Sequence, residues 1–164
     1  MAGREAAPRA ETWLREDGGY VQGASLQRGG DTRALVPVDV DGDGDVDVLG
    51  AGAGADSLWL NDGSGRFADD GWKRLPFDRS DAHGAAAADL DLDGRLDVLL
   101  AVPGALDRLL MSGDGGFSDA TPALGLTPGA GGRAAAAFDL EGDGDLDVAT
   151  LLPDGGVRVR VSVP

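Results

Sequence analysis

The chain has 164 residues, the size of one domain and enough to bury a core, and its formal charge of −15 excludes nucleic acid and membrane surfaces as partners unless a local basic patch intervenes. Its 28 glycines and 25 aspartates, against 4 glutamates and one lysine, disfavour long helices, since Gly costs about 1 kcal/mol there and Asp bonds nearby backbone in turns. The absence of cysteine excludes disulfides and thiolate chemistry, and an all-β fold is expected.

In chain order, residues 1–10 are predicted to be disordered, and a repeat domain is predicted over 11–164. The first 16 residues carry Arg4, Glu5, Arg9, Glu11 and Arg15 with no apolar core of a signal peptide, and no stretch reaches the ~20 apolar residues of a membrane span. The chain is therefore read as having neither signal peptide nor membrane insertion. Thr12 to Tyr20 reads as a hairpin, an apolar strand and a Gly-rich turn followed by an aromatic. Leu35 to Val38 is predicted to be a strand; Pro37 opposes a helix there. An acidic loop spans 39–47, and Val46 and Val48 begin a second strand. Ser57 to Phe67 is another hairpin.

The pattern then recurs. DVDGDGDVDVLG from Asp39, DLDLDGRLDVLL from Asp89 and DLEGDGDLDVAT from Asp139 lie at intervals of 50 residues. Ala85 to Ala88 and Ala134 to Phe138 take the place of Leu35 to Val38. Helix is the alternative for Ala runs by propensity, but the equivalence to the Pro37 segment favours strands, and small side chains suit packing near a crowded axis. Arg108 to Phe117 repeats the hairpin, and Val157 to Val161 alternates Val with Arg158 and Arg160 as an unpaired edge strand. Each unit holds about four antiparallel strands, as the blades of a β-propeller do, with the last unit one strand short.

Numbered from its first Asp, each acidic loop, 39–47, 89–97 and 139–147, carries carboxylates at positions 1, 3, 5 and 9. They are Asp39, Asp41, Asp43 and Asp47; Asp89, Asp91, Asp93 and Asp97; Asp139, Glu141, Asp143 and Asp147. Glycine stands at position 6. The backbone carbonyls of Asp45, Arg95 and Asp145 stand at position 7, where the side chain is free to vary. Hard oxygen donors at alternate positions around a glycine bend fit calcium, about three ions in all, which would offset six of the negative charges. Without a cation such clusters repel strongly. Zinc and copper are disfavoured by the lack of Cys and the single His. An EF-hand would need Glu at position 12, where the chain has Gly50, Leu100 and Thr150.

These loops, with the N-D-G-S-G-R-F turn at Asn61 to Phe67, resemble the FG-GAP/VCBS repeat family of calcium-loop propeller blades. The resemblance implies calcium held between the first two strands of each blade, the ligands being the residues above. Glu141, one methylene longer than the family's Asp, is expected to weaken or reshape the third site. It also implies an extracellular or cell-surface location and a role in adhesion, through a protein or glycan ligand. Family propellers close with more blades, so the blades form a partial propeller or one completed by a second copy, as a six-bladed ring from two chains, or by further sequence.

The chain is not expected to be an enzyme: His83, near Ser80 and Asp81, has no nucleophile motif around it. Trp13 and Trp59 occupy equivalent hairpin positions, which favours packing between blades, while Trp72 has no counterpart. The alternatives are the scaffold fragment of a secreted enzyme such as a polysaccharide lyase, or a structural spacer.

Overall fold

The computed structural model describes residues 10–26, 30–77, 79–125 and 129–162. The expectation for residues 1–10 falls outside them except for Ala10, which opens the first strand. Four antiparallel sheets follow one another in chain order. The first is a hairpin of β1 (Ala10–Glu16) and β2 (Gly19–Leu26). The second contains β3 (Gly30–Val38), β4 (Asp47–Gly54), β5 (Ser57–Asn61) and β6 (Phe67–Asp69). The third contains β7 (Gly84–Ala88), β8 (Asp97–Ala101), β9 (Arg108–Gly113) and β10 (Gly116–Asp119). The fourth contains β11 (Ala134–Phe138), β12 (Asp147–Leu151) and β13 (Val157–Arg160). Within each sheet sequential strands pair, so each is a meander. The fold is all-β and of the partial-propeller kind, with β13 on an edge as its Val-Arg alternation foretold.

The alanine runs are strands. β7 lies between β3 and β11, so the innermost strands of successive sheets are neighbours. Their backbones come so close that a Cβ on Gly84 would sit 2.7 Å from the Cα of Ala134. The small side chains of β7 suit this close approach, while Ala134 and Ala136 of β11 stay exposed.

Register places alternate residues on opposite faces of each sheet. Val36 pairs with Leu49 and Leu49 with Leu58, so these three share a face. They meet Val98, Leu100 and Leu110 of the third sheet in one buried cluster. Trp59 points the other way, with its ring over Gly50, where a Cβ would come within 2.8 Å of it. Trp59 is buried as expected of a residue between sheets, but Trp13 is exposed, because among the described residues no sheet covers that side of the first hairpin.

Two connections escape the sequence pattern. A one-turn helix, α1 (Gly71–Arg74), follows β6, and a 3-10 turn, Thr121–Leu124, follows β10. Asp70 fixes the helix by accepting from Lys73 Nζ and Arg74 Nε, both at 2.8 Å, while Leu75 packs on the core.

Truncating the junction between the second and third sheets should cost what a filled core costs. Leu110→Ala is expected to destabilise by about 3 kcal/mol in chemical denaturation, whereas exposed Leu35→Ala should change stability by under about 0.5 kcal/mol; equal effects would contradict the packing described.

Candidate metal centres

Each acidic loop joins the first two strands of its sheet and is folded around its own carboxylates. Asp39 accepts from the N–H of Gly42 at 2.8 Å and Gly44 at 3.0 Å. Asp89 accepts from Asp93 at 3.0 Å and Gly94 at 2.9 Å, and Asp139 from Gly142 at 2.6 Å and Gly144 at 3.1 Å. The fifth-position carboxylates accept from the seventh-position N–H: Asp43 from Asp45 and Asp93 from Arg95, both at 2.9 Å, and Asp143 from Asp145 at 3.4 Å. Such bends need left-handed backbone. The glycines at position 6 supply it, with φ of 91°, 92° and 95° at Gly44, Gly94 and Gly144. Position 4 needs it too. Gly42 and Gly142 comply, but in the second loop the residue is Leu92 at φ 60°, a strain of roughly 1–2 kcal/mol that the sequence pattern did not disclose.

The ninth-position aspartates differ from the rest. Asp47, Asp97 and Asp147 are fully buried. Each accepts one N–H from position 2 of its own loop: Val40 at 2.9 Å, Leu90 at 2.9 Å, Leu140 at 2.7 Å. The other oxygen accepts from the end of the third strand or just beyond it: Asn61 at 2.8 Å, Ser112 at 2.8 Å, Ser162 at 2.9 Å. The same two bonds recur three times. One carboxylate thus closes the loop and ties it to the sheet, and the remaining lone pairs face the other acids. The donors at 61, 112 and 162, 14 or 15 positions downstream, are backbone N–H groups, which no side-chain pattern discloses.

The carboxylates converge in two of the loops. Ligand oxygens of Asp39, Asp41 and Asp43 lie within 4.8 Å of one another, and so do those of Asp89, Asp91 and Asp97. In the second loop the Arg95 guanidinium takes the carboxylate of Asp93, so the residue expected to offer only backbone also supplies a counter-charge. In the first, Arg74 Nη2 stands 3.6 Å from Asp41, and Asp45 turns its carboxylate toward Gly63. In the third loop the backbone bonds match, but among the described residues no third group converges as tightly. There the longer Glu141 side chain bonds Asp147. The donor set in the first two loops, hard oxygens within the span of one ion's shell, fits calcium.

Electrostatics point the same way. Burial first, and repulsion from Asp41 and Asp43, raise the pKa of Asp47 above 3.8; burial, with Asp91 and Asp93, does the same for Asp97. In the third loop burial and the shared bond to Asp147 raise Glu141 above 4.5, while the Leu140 N–H holds Asp147 down. Asp145 is raised by its bond to Asp143. The bare loops resist full ionisation.

The model of a family described as FG-GAP-like repeat matches the chain twice, over residues 39–100 and 89–150, which together take in more than half of it. Each match opens on the first Asp of one acidic loop and ends in the second strand of the next sheet. A search of curated proteins found no relative.

Two outcomes follow with metal withheld by a chelator. Asp97→Ala orphans the buried N–H of Ser112 and the part-buried N–H of Leu90 and should cost about 2–4 kcal/mol in chemical denaturation, whereas Asp91→Ala removes repulsion and one exposed 3.3 Å bond from the Asp93 N–H and should cost under about 1 kcal/mol. The pKa values of Asp47, Asp97, Glu141 and Asp145 are raised on folding, so their contribution is full below the unfolded values and lost as pH rises through the folded ones. The melting temperature should accordingly fall as pH rises above the ordinary carboxylate range of about 4, less steeply in Asp97→Asn; a rise would contradict the assignment. The depressed groups Asp62, Asp70, Asp119 and Asp147 act in the opposite sense only near and below 3.8.

Proposed function

We propose that this chain, which belongs to the FG-GAP-like repeat family, is a calcium-stabilised interaction module that works outside the cell or on its surface. One observation carries the metal reading: three acidic loops with a common backbone course, two of which bring three carboxylates within 4.8 Å. Asp39, Asp41, Asp43 and Asp47 would hold one ion with the carbonyl of Asp45. Asp89, Asp91, Asp93 and Asp97 would hold a second with that of Arg95, and Asp139, Glu141, Asp143 and Asp147 a third, weaker one with that of Asp145. Calcium would supply the positive charge that lets these acids ionise together, and it would lock each loop against the strand its ninth residue already bonds. The extracellular assignment agrees with this chemistry, since modules of low calcium affinity are filled at millimolar calcium.

The role proposed is binding without catalysis. The sole histidine, His83, stands 3.4 Å from Asp81, and Arg33 contacts both. A candidate surface for a protein or glycan ligand lies at α1, where exposed Trp72 and Phe77 border a hollow of about 400 Å3 that also touches Asp56 and Asp69. Lys73 sits 5.1 Å from the Trp72 ring centre. Among the described residues no helix is long and apolar enough to cross a membrane.

Calorimetric titration and melting curves test the metal reading together. The expected outcome is calcium binding at three sites, the third weakest, with stabilisation of roughly 2.7 kcal/mol per site at a hundredfold excess over Kd. Asp91→Ala should remove one site. A chain that shows neither heat nor a melting shift in millimolar calcium would refute the proposal.

A further inference from the structure

The sheets of this chain present two kinds of face. A forward face meets the next sheet; a backward face meets the one before. At the junction of the second and third sheets the forward residues Leu49, Ala51 and Leu58 bury against the backward residues Val98, Leu100 and Leu110. At the next junction Leu99, Ala101 and Leu109 hold the same forward positions and are again buried, while the fourth sheet's backward residues Val148 and Thr150 are buried too. In the fourth sheet the register puts Ala149, Leu151 and Val159 at these forward positions. Among the described residues no sheet covers them. Leu151 is 42 % exposed and Val159 43 %, with Val157 at 65 % and Val161 at 44 % beside them.

The first hairpin shows the converse. Leu14 faces forward onto the second sheet, where a Cβ on Gly65 would meet its Cδ2 at 2.3 Å. Trp13 therefore faces backward, the place that Trp59 and Leu110 hold in the sheets where it is buried. Arg15 and its cross-strand partner Tyr20 share that side. Trp13 is 57 % exposed and Tyr20 69 %.

Among the described residues the chain thus carries an open forward face and an open backward face, the two halves of a kind of junction that is closed three times within it. We propose that a second copy of this chain closes both: the β11, β12 and β13 sheet of one copy packs its Leu151, Val157 and Val159 face on the Trp13 and Tyr20 face of the other. The occupant is specified by continuity, since each forward face elsewhere in the chain is covered by a backward face of its own kind. The contact is heterologous, so it builds a closed ring when the rotation per copy permits and a longer row when it does not. The charge of −15 on each copy opposes the approach, so association strengthens as salt screens it.

Light scattering on the full chain in calcium tests this, with circular dichroism and melting to verify folding. The expected result is a mass at least twice the 16.6 kDa of one chain, rising with salt. Val159→Asp alone and Trp13→Asp alone should each yield a folded monomer. Mixing the two variants should restore a dimer, because one intact face of each kind remains. Phe77→Asp, an exposed aromatic outside both faces, should leave the mass unchanged. A wild-type monomer at all concentrations would overturn the proposal, as would an assembly that only one of the two variants disrupts.

Discussion

A carboxylate that is buried in a protein must be met by donors, and in this chain the same buried carboxylate is met in the same way three times. Asp47, Asp97 and Asp147 each take one N–H from the loop they close and one from the third strand of their sheet or the residues just past it. The bond to the loop fixes how the chain turns between the first two strands. The bond to the far strand fixes where that turn sits on the sheet. Position and shape of the acidic loop are therefore one constraint, and the loop is a part of the sheet more than an appendage to it.

That constraint creates an electrostatic problem at the same spot. The loop wraps three further acids around the buried one, and burial with mutual repulsion pushes Asp47 and Asp97 above their ordinary pKa. Nearby cations answer only in part: Arg74 approaches Asp41, and Arg95 takes Asp93. On the function proposed above, a divalent cation would answer it fully and would use the lone pairs that the backbone leaves free, so metal binding and fold stability would form one argument in this protein. The third loop departs from the other two. Glu141 reaches Asp147 instead of converging with its neighbours, and its extra methylene accounts for the difference.

Much of this was legible in the sequence because the repeat ties local pattern to global register. Period-50 acidic loops flanked by apolar runs disclosed the strand, loop, strand order, and the hairpins at Ser57 to Phe67 and Arg108 to Phe117 formed where turn and aromatic signals put them. The Ala runs were decided by their equivalence to Leu35 to Val38, since propensity alone favoured helix. What stayed hidden depends on the third dimension. The second bond of each ninth-position aspartate goes to a residue 14 or 15 positions away, Leu92 adopts φ 60° because the backbone course of its loop demands it, and α1 is too short to show a period. Trp13 and Trp59 looked alike and differ in burial, because among the described residues only Trp59 has a sheet on its backward side.

The repeat also explains how few interaction types the fold needs: one inter-sheet packing, one loop closure, one crowded inner strand. The measurement that tests the central claim most directly is the anomalous difference map of crystals grown in calcium. The account predicts one peak inside each acidic loop, within coordination distance of the carboxylates at positions 1, 3, 5 and 9, the weakest at Glu141. Loops that keep the present course with no peak in any of them would contradict it.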